Sequence, residues 1–180
     1  MDKKNKLTVD MVTKIAILAA LSVVLRRFFT ITIPVNQKIG LGYMPIMLSG
    51  ILFGPLVGGL TGAMADVVGM LLNPDGMFHP GFTLSAFIMG FSSGLISFNI
   101  FKRNFNKHLI IISILSCLVT FMVCRLLLES VFLQQFSKNP YWVYVARRIP
   151  KQLIETVLNT VLLIVLVPRL DKYASKKLLT

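Results

Sequence analysis

Residues Phe53–Ala86 read FGPLVGGLTGAMADVVGMLLNPDGMFHPGFTLSA. The pair Gly54-Pro55 interrupts one apolar run, and the glycines that follow it let a helix approach its neighbours closely. Asp66 lies alone among apolar residues, where a charge is costly inside a membrane. After Leu72 a short polar loop turns the chain into another apolar run. The stretch therefore predicts a membrane protein with several spans and a functional site between them.

The composition of the whole chain supports a membrane location. Its 180 residues are 55% hydrophobic, which is too apolar for a water-soluble domain of this size. There are 19 Lys and Arg against 7 Asp and Glu, a net charge of +12. In a soluble protein this surplus would raise the question of nucleic acid, but basic loops on one side of a membrane explain most of it. We expect an all-α membrane protein and no nucleic-acid partner.

The apolar runs predict six transmembrane helices in one bundle, with residues 1–180 forming a single domain. Six spans place the N-terminal tail, the loop Lys102–His108 and the C-terminal tail on one side, and the positive-inside rule makes that side cytoplasmic. The segment Ile31–Tyr43 alternates apolar residues and contains turn formers, so we expect an extended outer loop that forms a flap over a site. The predicted spans are Met11–Thr30, Gly42–Leu52, Pro55–Leu72, Gly81–Phe101, Leu109–Val131 and Ile149–Pro168, with Pro168 ending the last.

Several kinds of chemistry have no support in the sequence. Cys117 and Cys124 are seven residues apart in one apolar run, too far along a helix for a disulfide, so we expect free thiols. No His/Cys cluster has metal-ligand spacing, and the chain lacks a GxxxxGK[ST] phosphate loop. We expect no metal, no cofactor and no ATPase site.

Basic residues on three helices form the candidate binding site. Arg26, Arg125 and Arg147 are predicted near the outer end of the bundle, where cations exceed acids. The planar fork of arginine can hold a carboxylate by two hydrogen bonds, which favours an anionic ligand. The alternative is that Arg125 pairs with Glu129 one turn on, and that similar intrahelical pairs neutralise the other buried charges.

Three motifs together resemble a known family. They are Ala16 and Ala20 in an AxxxA pattern, the FGP at Phe53, and the PGFTLSA that begins at Pro80. The chain resembles the folate-specific substrate-binding (S) component of energy-coupling factor (ECF) transporters. The resemblance implies a multi-pass protein of the bacterial plasma membrane that captures folate or a reduced folate from outside. It also implies partners, namely a transmembrane coupling (T) subunit and two ABC ATPases.

The resemblance also suggests roles for individual residues. Arg26 falls where folate-group members carry an Arg, and Arg125, Arg147 and Gln152 are further matches. Ala16 and Ala20 resemble the docking face for the T subunit, although ordinary helix packing would explain the same spacing. Asp66 either accepts paired N–H donors from a pterin ring or balances a cation across the bundle. Phe82 is a candidate to stack on a flat heterocycle, and His79 is expected to be a solvated loop residue.

The sequence also allows other functions. The same architecture could bind riboflavin, thiamine, biotin or pantothenate, although the surplus of outer cations fits the dianionic tail of folate better than neutral riboflavin or cationic thiamine. An intramembrane enzyme using Asp66 or Glu155 lacks a second carboxylate or nucleophile at a suitable spacing. A channel or oligomeric scaffold would leave the outer arginines without a purpose.

Overall fold

The computed structural model describes residues 9–33, 37–72, 79–102, 104–134 and 140–176. In this part of the chain six helices follow one another, and a two-stranded hairpin lies between the first and the second. The elements are α1 (Val9–Phe28), β1 (Thr30–Ile33), β2 (Gln37–Gly40), α2 (Met44–Phe53), α3 (Pro55–Leu72), α4 (Pro80–Leu95), α5 (Phe105–Val119) and α6 (Tyr141–Lys176). The wider turns of a π-helix extend α4 through Ile96–Ile100 and α5 through Thr120–Leu128, after which Glu129–Gln134 is again α-helical. The predicted all-α fold class is confirmed.

The extended segment predicted between the first two helices forms the hairpin. Strands β1 and β2 pair antiparallel, with Thr30 opposite Gly40 and Ile33 opposite Gln37. Residues 34–36 lie outside the described part of the chain. Ser22 on α1 donates a hydrogen bond to the carbonyl oxygen of Gly42 at 2.5 Å, which ties the end of the hairpin to the bundle.

Four helical segments are long and apolar enough to cross a membrane. They are Pro55–Leu72, Pro80–Ile100, Lys107–Gln134 and Tyr141–Lys172. Helix α1 carries charges near both ends, and α2 has only ten residues. The other two of the six predicted spans, and the side on which the termini lie, stay predictions.

Helix α2 lies inside the bundle. Residues Met44–Leu52 are all buried, and α2 packs against α3 and α4. Two serines of the α4 region donate hydrogen bonds to its carbonyl oxygens, Ser93 to Met47 at 3.3 Å and Ser97 to Ile51 at 2.9 Å. Neighbouring helices therefore shield this ten-residue helix on its sides.

Glycines set the spacing of α2, α3 and α4. A Cβ atom added at Gly58 on α3 would collide with the carbonyl oxygen of Gly90 on α4, and one added at Gly90 would collide with the carbonyl oxygen of Gly58. A Cβ atom added at Gly50 on α2 would collide with the same carbonyl oxygen of Gly90. The three backbones thus touch at a point that no other residue type can occupy without displacing a helix.

The limits predicted for the last span are wrong. Helix α6 begins at Tyr141, not near Ile149, and continues beyond Pro168 to Lys176. Pro150 and Pro168 both lie inside the helix. Proline removes one backbone hydrogen bond, but a long apolar helix tolerates that loss where its surroundings satisfy the freed carbonyl group. A proline at the end of an apolar run was therefore a poor stop signal.

Candidate ligand-binding site

A small polar cavity lies at the end of the bundle that carries the hairpin, which we call the hairpin end. Its volume is about 10 Å³, room for about one water molecule. Small-molecule sites are usually 300–1,000 Å³, so a vitamin-sized ligand requires the walls to move apart. The lining residues are Tyr43, Met47, Cys117, Thr120, Arg125, Gln152, Thr156 and Asn159.

Arg125 is the central charged group of this cavity. It lies in the π-helical part of α5, where the amide of Glu129 donates to the carbonyl of Cys124 five residues earlier and widens the turn. Its side chain is 6% exposed and its guanidinium carbon lies 3.5 Å from the centre of the Tyr43 ring. Nη1 donates to both carboxylate oxygens of Glu129 at 2.8 Å. Among the described residues, Nε and Nη2 have no hydrogen-bond acceptor.

Arg148, which the sequence analysis did not select, completes this ion cluster. Its Nη1 donates to Glu129 Oε2 at 3.0 Å and to the carbonyl oxygen of Arg125 at 3.2 Å. The neighbouring Arg147, the predicted site residue, is exposed and does not line the described cavity. Helical spacing could have identified Arg148 from the sequence. Polar residues recur at three- and four-residue intervals on one face of the helix, namely Arg148, Gln152, Glu155 and Asn159.

Asp66 lies in a second polar cluster at the same end. Its Oδ1 is 3.6 Å from Nη1 of Arg26, and its Oδ2 accepts a hydrogen bond from the Thr83 hydroxyl at 2.8 Å. Of the two roles considered for Asp66, this geometry matches the balancing of a cation across the bundle. Arg26 is 48% exposed at its side chain, and its guanidinium carbon lies 5.6 Å from the centre of the Tyr43 ring. Tyr43 therefore contacts Arg125 and lies near Arg26 in the second cluster.

Polar residues of α6 form the wall opposite Arg125. Gln152 is buried and lines the cavity. Glu155 accepts a hydrogen bond at Oε1 from the backbone amide of Gly40 at 3.0 Å, and the same oxygen is 3.7 Å from Lys151 Nζ. The Asn159 amide nitrogen donates to the backbone carbonyl of Glu155 at 2.7 Å. Glu155 thus joins the hairpin to the helix that carries this wall.

Phe82 lies in a separate aromatic cluster. Its ring centre is 6.0 Å from that of His79 and 6.1 Å from that of Phe132, both in edge-on arrangements. His79 Nδ1 accepts a hydrogen bond from the amide of Gly81 at 3.0 Å and so caps α4. The prediction that His79 is a solvated loop residue is wrong, because its ring is partly buried against Phe132. Phe82 does not line the described cavity.

The exposed face of α1 carries both alanines of the AxxxA pattern. Ala16 and Ala20 are exposed, whereas Ile15, Ala19 and Ser22 on the other face are buried. The exposed stripe also contains large apolar residues, namely Val12, Ile17, Leu21 and Val24. In this structure, Ala16 and Ala20 are therefore not used for packing within the bundle.

Cys117 and Cys124 are buried free thiols. Among the described residues, no three His, Cys, Asp or Glu side chains are grouped so that they could hold a metal ion.

These features define a class, a multi-pass membrane protein with a buried polar site between its helices. Within that class the chain belongs to the S components of ECF transporters, because a family model described as "ECF-type riboflavin transporter, S component" matches residues 6–172. It is therefore a transporter subunit and not an enzyme. Proteins of this family work together with coupling and ATPase modules. The family resemblance noted in the sequence is confirmed.

Comparisons with individual proteins agree with this assignment. The chain is 34% identical over 146 residues to the folate transporter FolT of Clostridium novyi (strain NT), an alignment covering 81% of each chain. It is similar to a crystal structure of FolT bound with folic acid, with a TM-score of 0.75 and 27% identity over 90% of this chain and 95% of that one. A structure of the S component of a bacterial ECF transporter has a TM-score of 0.68 at 24% identity over 92% and 97% of the two chains, and has the same fold.

Proposed function

We propose that this chain captures folate or a reduced folate at the outer face of the membrane and delivers it for ATP-driven uptake by a T subunit and two ABC ATPases. The hairpin end is the outer end in this proposal, and both termini are cytoplasmic. The names of the relatives favour folate, whereas the description of the family model names riboflavin. The residues around the cavity therefore provide the argument for choosing between folate and riboflavin.

The main support for the proposal is the guanidinium of Arg125, of which only one nitrogen has a hydrogen-bond acceptor among the described residues. Glu129 engages Nη1, while the buried Nε and Nη2 have no acceptor among the described residues. Leaving buried donors of a charged group unpaired is costly, so the site is prepared for an electronegative group of a ligand. Gln152, on the same cavity, is proposed as a further ligand contact.

The balance of charge also favours an anion. Arg125, Arg148 and Lys151 contribute three positive charges around the cavity, and Glu129 and Glu155 contribute two negative ones. Arg26 and Asp66 nearby cancel each other. Among these seven described residues one positive charge therefore remains, which suits the carboxylates of folate and gives neutral riboflavin no advantage.

The test is a calorimetric titration of the purified protein with folate and, separately, with riboflavin. We expect folate to bind and riboflavin to bind far more weakly. The matched variant is Arg125→Ala, for which we expect folate affinity to fall by about tenfold to more than a hundredfold, because a charged hydrogen bond is worth about 1.5–3 kcal/mol. Tight binding of riboflavin in place of folate would overturn the proposal.

A further inference from the structure

Two buried oxygen atoms on α6 lack donors. They are Oε2 of Glu155 and Oδ1 of Asn159, and neither has a hydrogen-bond partner within the described residues. Glu155 is 1% exposed and Asn159 is 4% exposed. A buried acceptor without a donor, above all a carboxylate oxygen, is unfavourable unless something else supplies the donor.

The other polar atom of each side chain is already engaged, which fixes the free atom as an acceptor. Glu155 Oε1 is held by the Gly40 amide, and Lys151 Nζ lies 3.7 Å from that same oxygen. The Asn159 Nδ2 group donates to the backbone of Glu155, so that its oxygen is the atom left unused. Because the two residues are one turn apart on one helix, both lie on one face of α6, and of the two Asn159 lines the cavity.

The opposite wall presents donors. Arg125 leaves Nε and Nη2 unpaired on the cavity that Asn159 also lines. Glu155 lies on the same face of α6 as the lining residues Gln152 and Asn159, and it is covered by the hairpin at Gly40. A ligand that widens the cavity under the hairpin therefore meets acceptors on α6 and donors on α5.

We infer that Glu155 and Asn159 determine specificity by accepting hydrogen bonds from a ligand edge with adjacent N–H donors, such as the 2-amino and N3–H groups of a 2-amino-4-oxopteridine. This inference rests on the proposed function, and it assigns recognition of the pterin to Glu155 and not to Asp66. The corresponding edge of an isoalloxazine ring has one N–H between two carbonyl oxygens. One of those oxygens would face a carboxylate oxygen, so the same pair of acceptors rejects riboflavin.

The experiment compares two small probes, pterin and lumazine, which differ in that lumazine carries a 2-oxo group in place of the 2-amino group. Wild-type protein is first titrated with folate by calorimetry and then with each probe. We expect pterin to bind at least about tenfold more tightly than lumazine, since the exchange removes a charged hydrogen bond and sets two oxygens against each other.

Two variants test which residue produces this preference. In Glu155→Gln the side chain keeps its shape but can present an NH₂ group, so the ratio of pterin to lumazine affinity should fall to about one or reverse. Asn159→Ala should lower the ratio partly. Asp171→Asn is the matched control, the same carboxylate-to-amide change about 24 Å further along α6 at 1.5 Å per residue, and it should leave the ratio unchanged.

The outcomes separate the two proposals. Wild-type protein that binds neither folate nor pterin overturns both. Wild-type protein that binds folate but does not prefer pterin to lumazine overturns only the acceptor pair, and this result needs no variant. The acceptor pair is also overturned if the ratio of pterin to lumazine affinity changes in Asp66→Asn and stays the same in Glu155→Gln. It is supported if the ratio changes in Glu155→Gln and stays the same in Asp66→Asn.

Discussion

At the scale of single residues, Arg125 is held before any ligand arrives. Glu129 and the Tyr43 ring fix its guanidinium in place, so little side-chain entropy is left to lose when a ligand binds. Lysine offers one point charge and cannot use the same geometry. Arg125→Lys should therefore recover only part of the folate affinity that Arg125→Ala loses, as measured by calorimetry. Full recovery would mean that charge alone matters at this position.

Arg148 should support binding more than its neighbour Arg147. Arg148→Ala removes the second cation from Glu129 and a donor from the carbonyl of Arg125, which loosens the guanidinium group of Arg125 that we propose contacts the ligand. We expect Arg148→Ala to weaken folate binding by about tenfold and Arg147→Ala to weaken it less. Thermal stability measured beside affinity separates loss of the site from loss of the fold. The opposite order of the two affinities would contradict this assignment.

Sequence reasoning found part of this site for a physical reason. Arg125 stood out because a buried cation in an apolar run needs partners, and the Glu129 partner one turn on was visible from spacing. Which of Arg147 and Arg148 faces the bundle depends on how α6 is rotated about its axis. The sequence prediction started this helix near Ile149, after both residues, and so could not choose between them. The contacts of Asp66 with Arg26 and Thr83 join distant parts of the chain, so spacing could only leave its role open.

At the scale of helices, the glycine contact between α3 and α4 should be intolerant of any side chain. Gly58→Ala places a methyl group against the backbone oxygen of Gly90, which cannot move without its helix. We expect a loss of about 1–3 kcal/mol or more and a lower Tm in detergent. Gly69→Ala is the matched control on the same helix, because its nearest neighbour, a Val23 methyl group, is 3.8 Å away. An equal Tm for both variants would contradict close packing at Gly58.

The helices were predictable where apolar length and glycine spacing decide them. Helix α3 has the predicted limits, Pro55–Leu72, and the short α2 follows from the FGP break. The π-helical segment Thr120–Leu128 was not predicted, because no local residue pattern marks it, and it packs against α4 and α6, which are distant in sequence. The end of α6 was not predictable either, because whether the helix continues past Pro168 depends on the groups around that proline.

At the scale of the whole molecule, the proposed orientation can be read by labelling. Cys117 and Cys124 are buried, so a cysteine introduced at the surface would react alone with a membrane-impermeant maleimide. In intact cells we expect Trp142→Cys to react from outside and Lys102→Cys to react only after lysis. Labelling of Lys102→Cys in intact cells, with Trp142→Cys protected, would reverse the topology.

The exposed alanines of α1 should matter for assembly and not for ligand binding. Ala16→Trp or Ala20→Trp leaves the hairpin end untouched but fills a face on which another helix could lie closely. We expect copurification with a T subunit and ATPases to be lost while folate affinity stays unchanged. Ile111→Trp, on an exposed part of α5, is the matched control and should still assemble. Parallel loss in all three variants would argue against docking through α1.

Trp142, the only tryptophan, gives the protein a built-in optical reporter. It is 74% exposed and packs edge-on against Tyr141, whose hydroxyl donates to the Leu126 carbonyl at 3.1 Å in the segment that carries Arg125. Its fluorescence therefore comes from one known place, close to the helix that carries Arg125. Pterins absorb where tryptophan emits, so quenching on addition of folate would report both proximity and the rate of binding, with no dye attached.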